Sequence, residues 1–193
     1  MPDTPPGRSA SFDILHVGSL RPGVTSTCSL VRDGRRVVVV DPGMVERQAD
    51  LLAPLGALGL TAADVTDVVL SHHHPDHTIN CGLFGSARVH DHWAVYHGSS
   101  WDSVDAEGRL LGDSTMLIRV PGHSAEDIAL VAGTTHGVVV FTHLWWTADG
   151  PADDPYAPDR SVLRASRERV LRFADMIVPG HGPPFAPADA TPR

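Results

Sequence analysis

The chain contains no lysine: all 15 basic residues are arginine, against 23 acidic residues, and the formal net charge is −8. Such a chain is a poor intrinsic binder of polyanions, because nucleic-acid affinity comes mostly from neutralising phosphates. Bound divalent ions would offset the charge locally, so a nuclease is disfavoured rather than excluded. Cysteine is scarce as well. Cys28 and Cys81 lie far apart and form no CxxC pair, which reads as reduced structural thiols in a cytoplasmic protein. No stretch approaches the roughly 18 consecutive apolar residues of a membrane span, so no membrane partner is expected. No repeat recurs at a solenoid period. The first ten residues lack the apolar core of a signal peptide and include Pro2, Pro5, Pro6 and Gly7. They are expected to form a flexible arm over 1–10, ahead of one domain over 11–187 and a short tail over 188–193. A length of 193 residues, 42% of them hydrophobic and 20% charged, suits one soluble domain of ordinary size. Arginine as the sole basic residue, with abundant Ala, Gly, Pro, Asp and Val, points to a GC-rich bacterial genome. A homo-oligomer is compatible with this composition, and nothing in it selects one.

What the chain does have is histidine. The run His72-His73-His74-Pro75-Asp76-His77 places His72, His74, Asp76 and His77, all competent metal ligands, within six positions. It follows Val68-Val69-Leu70, which reads as a buried strand. Ligands gather beyond the carboxyl ends of strands in many α/β enzymes. His72 and His74 are two apart, so in an extended segment they point the same way and can chelate one ion. Asp76 and His77 lie past Pro75, which turns the chain and can aim them at a second ion. The bland alternative is a chance histidine cluster on a surface loop.

The rest of the chain argues against chance. His123 follows Met116-Leu117-Ile118 and the turn Pro121-Gly122, and His181 follows Met176-Ile177-Val178 and the turn Pro179-Gly180. Val138–Phe141 runs into Thr142-His143. Four apolar strands therefore each deliver histidine at their ends. Further strands are expected at Phe12–Val17, Thr25–Val31, Arg36–Val40, Ala87–His90, Thr115–Val120 and Asp127–Ala132, with an Asp33-Gly34 hairpin turn. Helices are expected over 44–57, over a short stretch of 76–84, and over 161–174. In the last, Arg164, Arg169 and Arg172 form a solvated face or an anion-binding stripe. Residues 149–159, rich in Pro and Asp, read as a loop without regular structure, a rim or flap. His73 should point away from its neighbours and bond into the scaffold. His16, His90, His92, His97 and His136 read as structural or surface residues. Trp145 and Trp146 read as a pocket wall or as core.

On these residues the chain resembles the metallo-β-lactamase superfamily. HHHPDH at 72–77, PGHS at 121–124, PGHG at 179–182 and the Asp41-Pro42-Gly43 turn carry the likeness along roughly residues 12–186. Segments 64–84 and 167–185 narrow it to the branch of metallo-β-lactamase domain-containing protein 1 and its bacterial relatives. The resemblance implies an α+β fold, a four-layer αβ/βα sandwich of two mixed sheets flanked by helices. It also implies that His72, His74 and His123 hold one divalent ion, and Asp76, His77 and His181 a second. Zinc is the first choice, with iron and manganese suited to the same imidazole-rich, thiolate-free set. A metal-bound hydroxide would attack a small ester, thioester or lactone, with Asp76 orienting it and accepting a proton. A phosphodiesterase or ribonuclease of the same fold is the alternative within hydrolysis.

One position departs from the family pattern. A metal-bridging aspartate usually emerges after the strand that here ends in Phe141-Thr142-His143. Imidazole cannot replace a bridging carboxylate in kind, since each nitrogen offers one lone pair at most. Three outcomes follow: His143 binds one metal terminally, the second metal is weak, or the centre is mononuclear. A metal-binding protein with weakened or no catalysis is therefore a third reading.

Overall fold

A computed structural model describes residues 3–193; Met1 and Pro2, the start of the expected arm, lie outside the described residues. The first sheet runs in the order β1 (Ser11–His16), β2 (Cys28–Asp33), β3 (Arg36–Val40), β4 (Asp67–Val69), β5 (Arg88–His90), β6 (Val95–His97), β7 (Ser100–Asp102). The second contains β8 (Arg109–Leu110), β9 (Thr115–Arg119), β10 (Ile128–Thr134), β11 (Gly137–Phe141) and β12 (Met176–Val178), each strand beside the next in chain order. Both sheets are mixed: β3–β4, β4–β5 and β11–β12 are parallel, and the other pairs are antiparallel. β2 and β3 join through a tight turn that opens on Gly34 at φ 58°, left-handed space that glycine enters without a Cβ penalty.

The valine-rich strands make sense as sheets covered on both faces. Val31, Val38, Val40 and Val69 meet Leu117, Leu130, Val139 and Phe141 between the sheets. Leu30, Val39 and Val68 face outward onto Leu51 and Leu55 of α1 (Ala49–Ala57) and onto Phe84. On the other side Ile118, Val131 and Val140 pack against Leu163 and Val170 of α3 (Arg160–Leu171). The result is the expected sandwich of two mixed sheets between helices. No helix of the described residues is long and apolar enough to cross a membrane.

Several expectations need correction. The helix expected from residue 44 begins at Ala49, and Met44 is exposed. The Met44 amide donates to the Asp76 carbonyl at 3.0 Å, which ties 43–44 to the ligand loop instead of to a helix. A Cβ on Gly43 would collide with that carbonyl. The helix expected within 76–84 splits into α2 (Pro75–Thr78) and a 3-10 turn at Cys81–Phe84. The hairpin of β6 and β7, turned at Gly98 with φ 58°, was not expected as strands. The arginine face of α3 is only partly solvated. Arg169 pairs with Asp3 at 2.7 Å and Glu107 at 2.6 Å. Residues of the expected arm and tail make defined contacts: Gly7 donates to Asp113, Ala10 to Gly133, and Trp145 Nε1 to the Pro192 carbonyl.

Candidate metal centre

The site lies where β4, β9, β11 and β12 end, so one edge of the sandwich collects every ligand candidate. β4 passes through Leu70 and Ser71 into His72. His74 caps α2, with Pro75 at its first turn, a position that needs no backbone N–H. His77 is wholly buried, and His72, His123, His143 and His181 are also buried. Gly180 lets the last strand's turn approach the His143 ring, which a Cβ there would strike.

The outer ring nitrogens are tied down. His77 Nδ1 donates to Asp41 Oδ2 at 2.9 Å, and Asp41 also accepts from the Ser71 amide and hydroxyl, each at 2.7 Å. Ser71 Oγ lies 3.1 Å from His72 Nδ1; with its own proton on Asp41, it accepts from the ring. His123 Nδ1 donates to Asp154 Oδ2 at 2.8 Å, and His181 Nδ1 to the Thr25 carbonyl at 2.9 Å. His72, His123 and His181 thus carry their proton on Nδ1, which leaves the Nε2 lone pair aimed inward, and His77 takes the same arrangement once its Nε2 gives up its proton.

Inside the ring of histidines, the inner nitrogens lack ordinary partners. His72 Nε2, His77 Nε2 and His143 Nδ1 are buried with no hydrogen-bond partner, an arrangement that costs free energy unless something fills it. His123 Nε2 lies 3.0 Å from His74 Nδ1, and His143 Nε2 lies 3.0 Å from His181 Nε2. Two groups have ligand atoms close enough to share an ion: His72–His123–His143 and His77–His143–His181. His143 belongs to both. His74 joins the first through His123. Asp76 Oδ2 adjoins the second, 3.4 Å from His77 Nε2 and 3.7 Å from His181 Nε2. Orphaned inward nitrogens on tautomerically fixed rings fit a divalent ion.

Burial, then the neighbouring imidazoles, push His72 and His143 well below the ordinary histidine value, so both rings are neutral. Burial also lowers His74 and His181. Burial opposes a charge on His77 too, but Asp41 and Asp76 outweigh it and raise that ring to about 9. Burial raises Asp76, yet His77 and His181 bring it down to about 2.

Of the seven candidate residues read from the sequence, His72, His77, His123, His143 and His181 fall in the two groups, and His74 and Asp76 lie beside them. Asp41 was legible only as a turn; it stands at φ 50° and orients two of the histidines. Asp154 was not anticipated. It sits in the Pro- and Asp-rich loop, where no periodicity marks a functional side chain. His73 bonds to Asp91 at 3.0 Å and stacks on Trp93, and His90 bonds to Asp67 at 2.8 Å, both structural as expected. Trp145 is core, whereas Trp146 lines the pocket.

The comparisons agree with this geometry. The model of the metallo-β-lactamase superfamily matches residues 21–181. Metallo-β-lactamase domain-containing protein 1 of Xenopus laevis is 34% identical over 160 residues, covering 79% of this chain and 69% of that protein. A candidate metallo-β-lactamase of Thermotoga maritima has a similar fold, with TM-score 0.73 at 21% identity over 93% of this chain and all of that one. AidC, a dizinc quorum-quenching lactonase, has TM-score 0.61 at 18% identity over 81% of this chain and 72% of its own. The bacterial origin expected from composition finds no support in the Xenopus relative, an animal protein. With the fold, the HxHxDH loop and both later histidines in place, the chain belongs to the metallo-β-lactamase superfamily.

Proposed function

We propose that this chain is a metal-dependent hydrolase of a small ester, thioester or lactone-type bond. The observation that carries this reading is the pair of histidine groups in which His72 Nε2, His77 Nε2 and His143 Nδ1 lack partners, while the Nδ1 atoms of His72, His77, His123 and His181 are held by hydrogen bonds. In this reading His72, His74 and His123 hold one ion, and Asp76, His77 and His181 hold a second. His143 lies between them and contacts at most one. Zinc is the ion we favour; iron or manganese suits the same donors. When bound, such ions supply Lewis acidity and lower the pKa of a coordinated water toward about 7.

The chain's own groups do the rest. Asp76 is ionised at neutral pH and faces the pocket beside His181, placed to orient a nucleophile and take up its proton. Asp41, Ser71, Asp154 and Thr25 hold the rings in register, which removes reorganisation from the reaction. The pocket of about 320 Å³ suits a small molecule. A phosphodiesterase reading is weaker, because no arginine appears among the described pocket-lining residues and the chain carries charge −8. His143 favours one further reading, a metal-binding protein of weakened catalysis, since a neutral ring stands where a bridging anion is usual.

The test is metal analysis of the purified protein paired with turnover of esters, thioesters, lactones and phosphodiesters. At least one ion per chain and turnover within the first three classes is the expected result. Tight metal loading with no turnover would support the binding-protein reading instead, and turnover of phosphodiesters alone the nuclease reading.

A further inference from the structure

We infer that the mouth of this centre is a preformed apolar slot, and that the substrate's non-reacting part is an uncharged acyl or aryl group lying between Trp146–Tyr156 and Leu20–Val24. The inference rests on the hydrolase reading for its reaction but not for its binding preference. Tyr156 is 63% exposed, Val24 45% and Leu20 36%. Scattered apolar surface residues need no explanation, but these line one cavity with Trp146 over the histidine floor. The Trp146 and Tyr156 rings stack at 5.9 Å, and Tyr156 reaches the ring of His123 at 5.5 Å.

Each wall hangs from the outer nitrogen of a histidine. On one side buried Asp154 accepts from His123 Nδ1 and Trp146 Nε1, each at 2.8 Å, and from the Tyr156 amide at 2.9 Å. On the other, Ser19 and Thr25 pair through both backbone amides, at 3.0 and 2.9 Å, closing the loop that carries Leu20 and Val24. The Thr25 carbonyl then accepts from His181 Nδ1. The hydrogen bonds that aim the rings inward therefore also fix the walls, and a fixed slot loses little freedom on binding. The charged side chain lining the cavity is the Asp76 carboxylate. An anionic tail would meet apolar surface and a like charge, which costs affinity. Arg21 neighbours Leu20 in sequence and is exposed, but does not line the cavity.

The test is calorimetric titration of the zinc-loaded protein with butanoate, hexanoate, octanoate and hexanedioate, whose shared carboxylate mimics a hydrolysis product. Affinity should rise by up to about fourfold per methylene, and hexanedioate should bind about tenfold more weakly than hexanoate. Trp146→Ala and Tyr156→Ala should flatten the series, and Leu20→Ser, on an exposed loop, should do so without endangering the fold. A flat series, no binding of any member, or tighter hexanedioate binding that Arg21→Ala abolishes, would overturn the inference. Nitrophenyl esters of the same acids are assayed in parallel. A chain-length trend in binding with no turnover of these esters or of the matching thioesters and lactones would overturn the hydrolase reading and keep the slot. Turnover indifferent to chain length would overturn the slot and keep the hydrolase.

Discussion

At position 143 an imidazole emerges where the superfamily pattern puts a bridging carboxylate. Its ring is neutral, its Nδ1 has no partner, and its Nε2 lies 3.0 Å from that of His181. Two dications beside a neutral ring repel one another with less compensation than beside an anion. The second site should therefore load more weakly than the first, and His143→Asp should raise its occupancy under limiting zinc. Equally tight loading of both sites in the natural protein, with no gain in the variant, would contradict this. Asp76→Asn should preserve the fold and lower turnover by about 10²-fold or more, measured as kcat; an unchanged kcat removes Asp76 from the mechanism. The His77–Asp41 pair gives a pH signature. His77 is raised in the folded chain, so its contribution is fully present below the unfolded value of about 6.5. It is lost as pH rises through about 9. The metal-stripped protein should lose Tm across that window, and Asp41→Asn should shrink the slope, leaving the part due to Asp76. His72 and His74 were legible as candidates because their spacing is local, two residues on an extended chain sharing a side; His123, His143 and His181 were legible because each follows an apolar strand. The protonation of each ring was not legible, because Asp41 and Asp154 are distant in sequence from the histidines they orient.

At the scale of elements, apolar runs ending in Pro-Gly or polar residues located β4, β9, β11 and β12 well. The missed pieces lack such runs. β6 and β7 carry Tyr96, His97 and Trp101 at a sheet edge, where one half-exposed hairpin needs no alternating pattern. α1 starts late because tertiary bonds at 43–44 override its helical periodicity. Residues 149–159 read as a rim, and the structure shows why that rim has order. Asp154 joins it to His123, and Arg167 of α3 donates to the carbonyls of Leu144, Pro151 and Ala152. Burial raises Asp154, but His123, the Tyr156 amide and Trp146 outweigh that and hold it below the usual carboxylate range, so it is an anion beneath the His123 ring. Asp154→Ala should weaken metal affinity by roughly 10–100-fold, the scale for losing such an orienting group. Competition with a chelator measures this, and unchanged affinity would reduce Asp154 to a loop anchor.

At the scale of the whole molecule, two sheets pressed face to face leave strand ends along one edge, and six histidines gather there from distant parts of the chain. The fold could be read in outline because strands covered on both faces leave long valine runs. Its fine joins rest on contacts such as Arg169 with Asp3 and Glu107, which no local pattern announces. The central claim is that this edge holds a thiolate-free metal centre built on imidazole. Zinc-edge X-ray absorption of the loaded protein tests it directly. The account requires a nitrogen and oxygen shell at about 2.0–2.1 Å with imidazole outer-shell scattering. A sulfur shell at about 2.3 Å, which would bring Cys28 or Cys81 into the site, would contradict it.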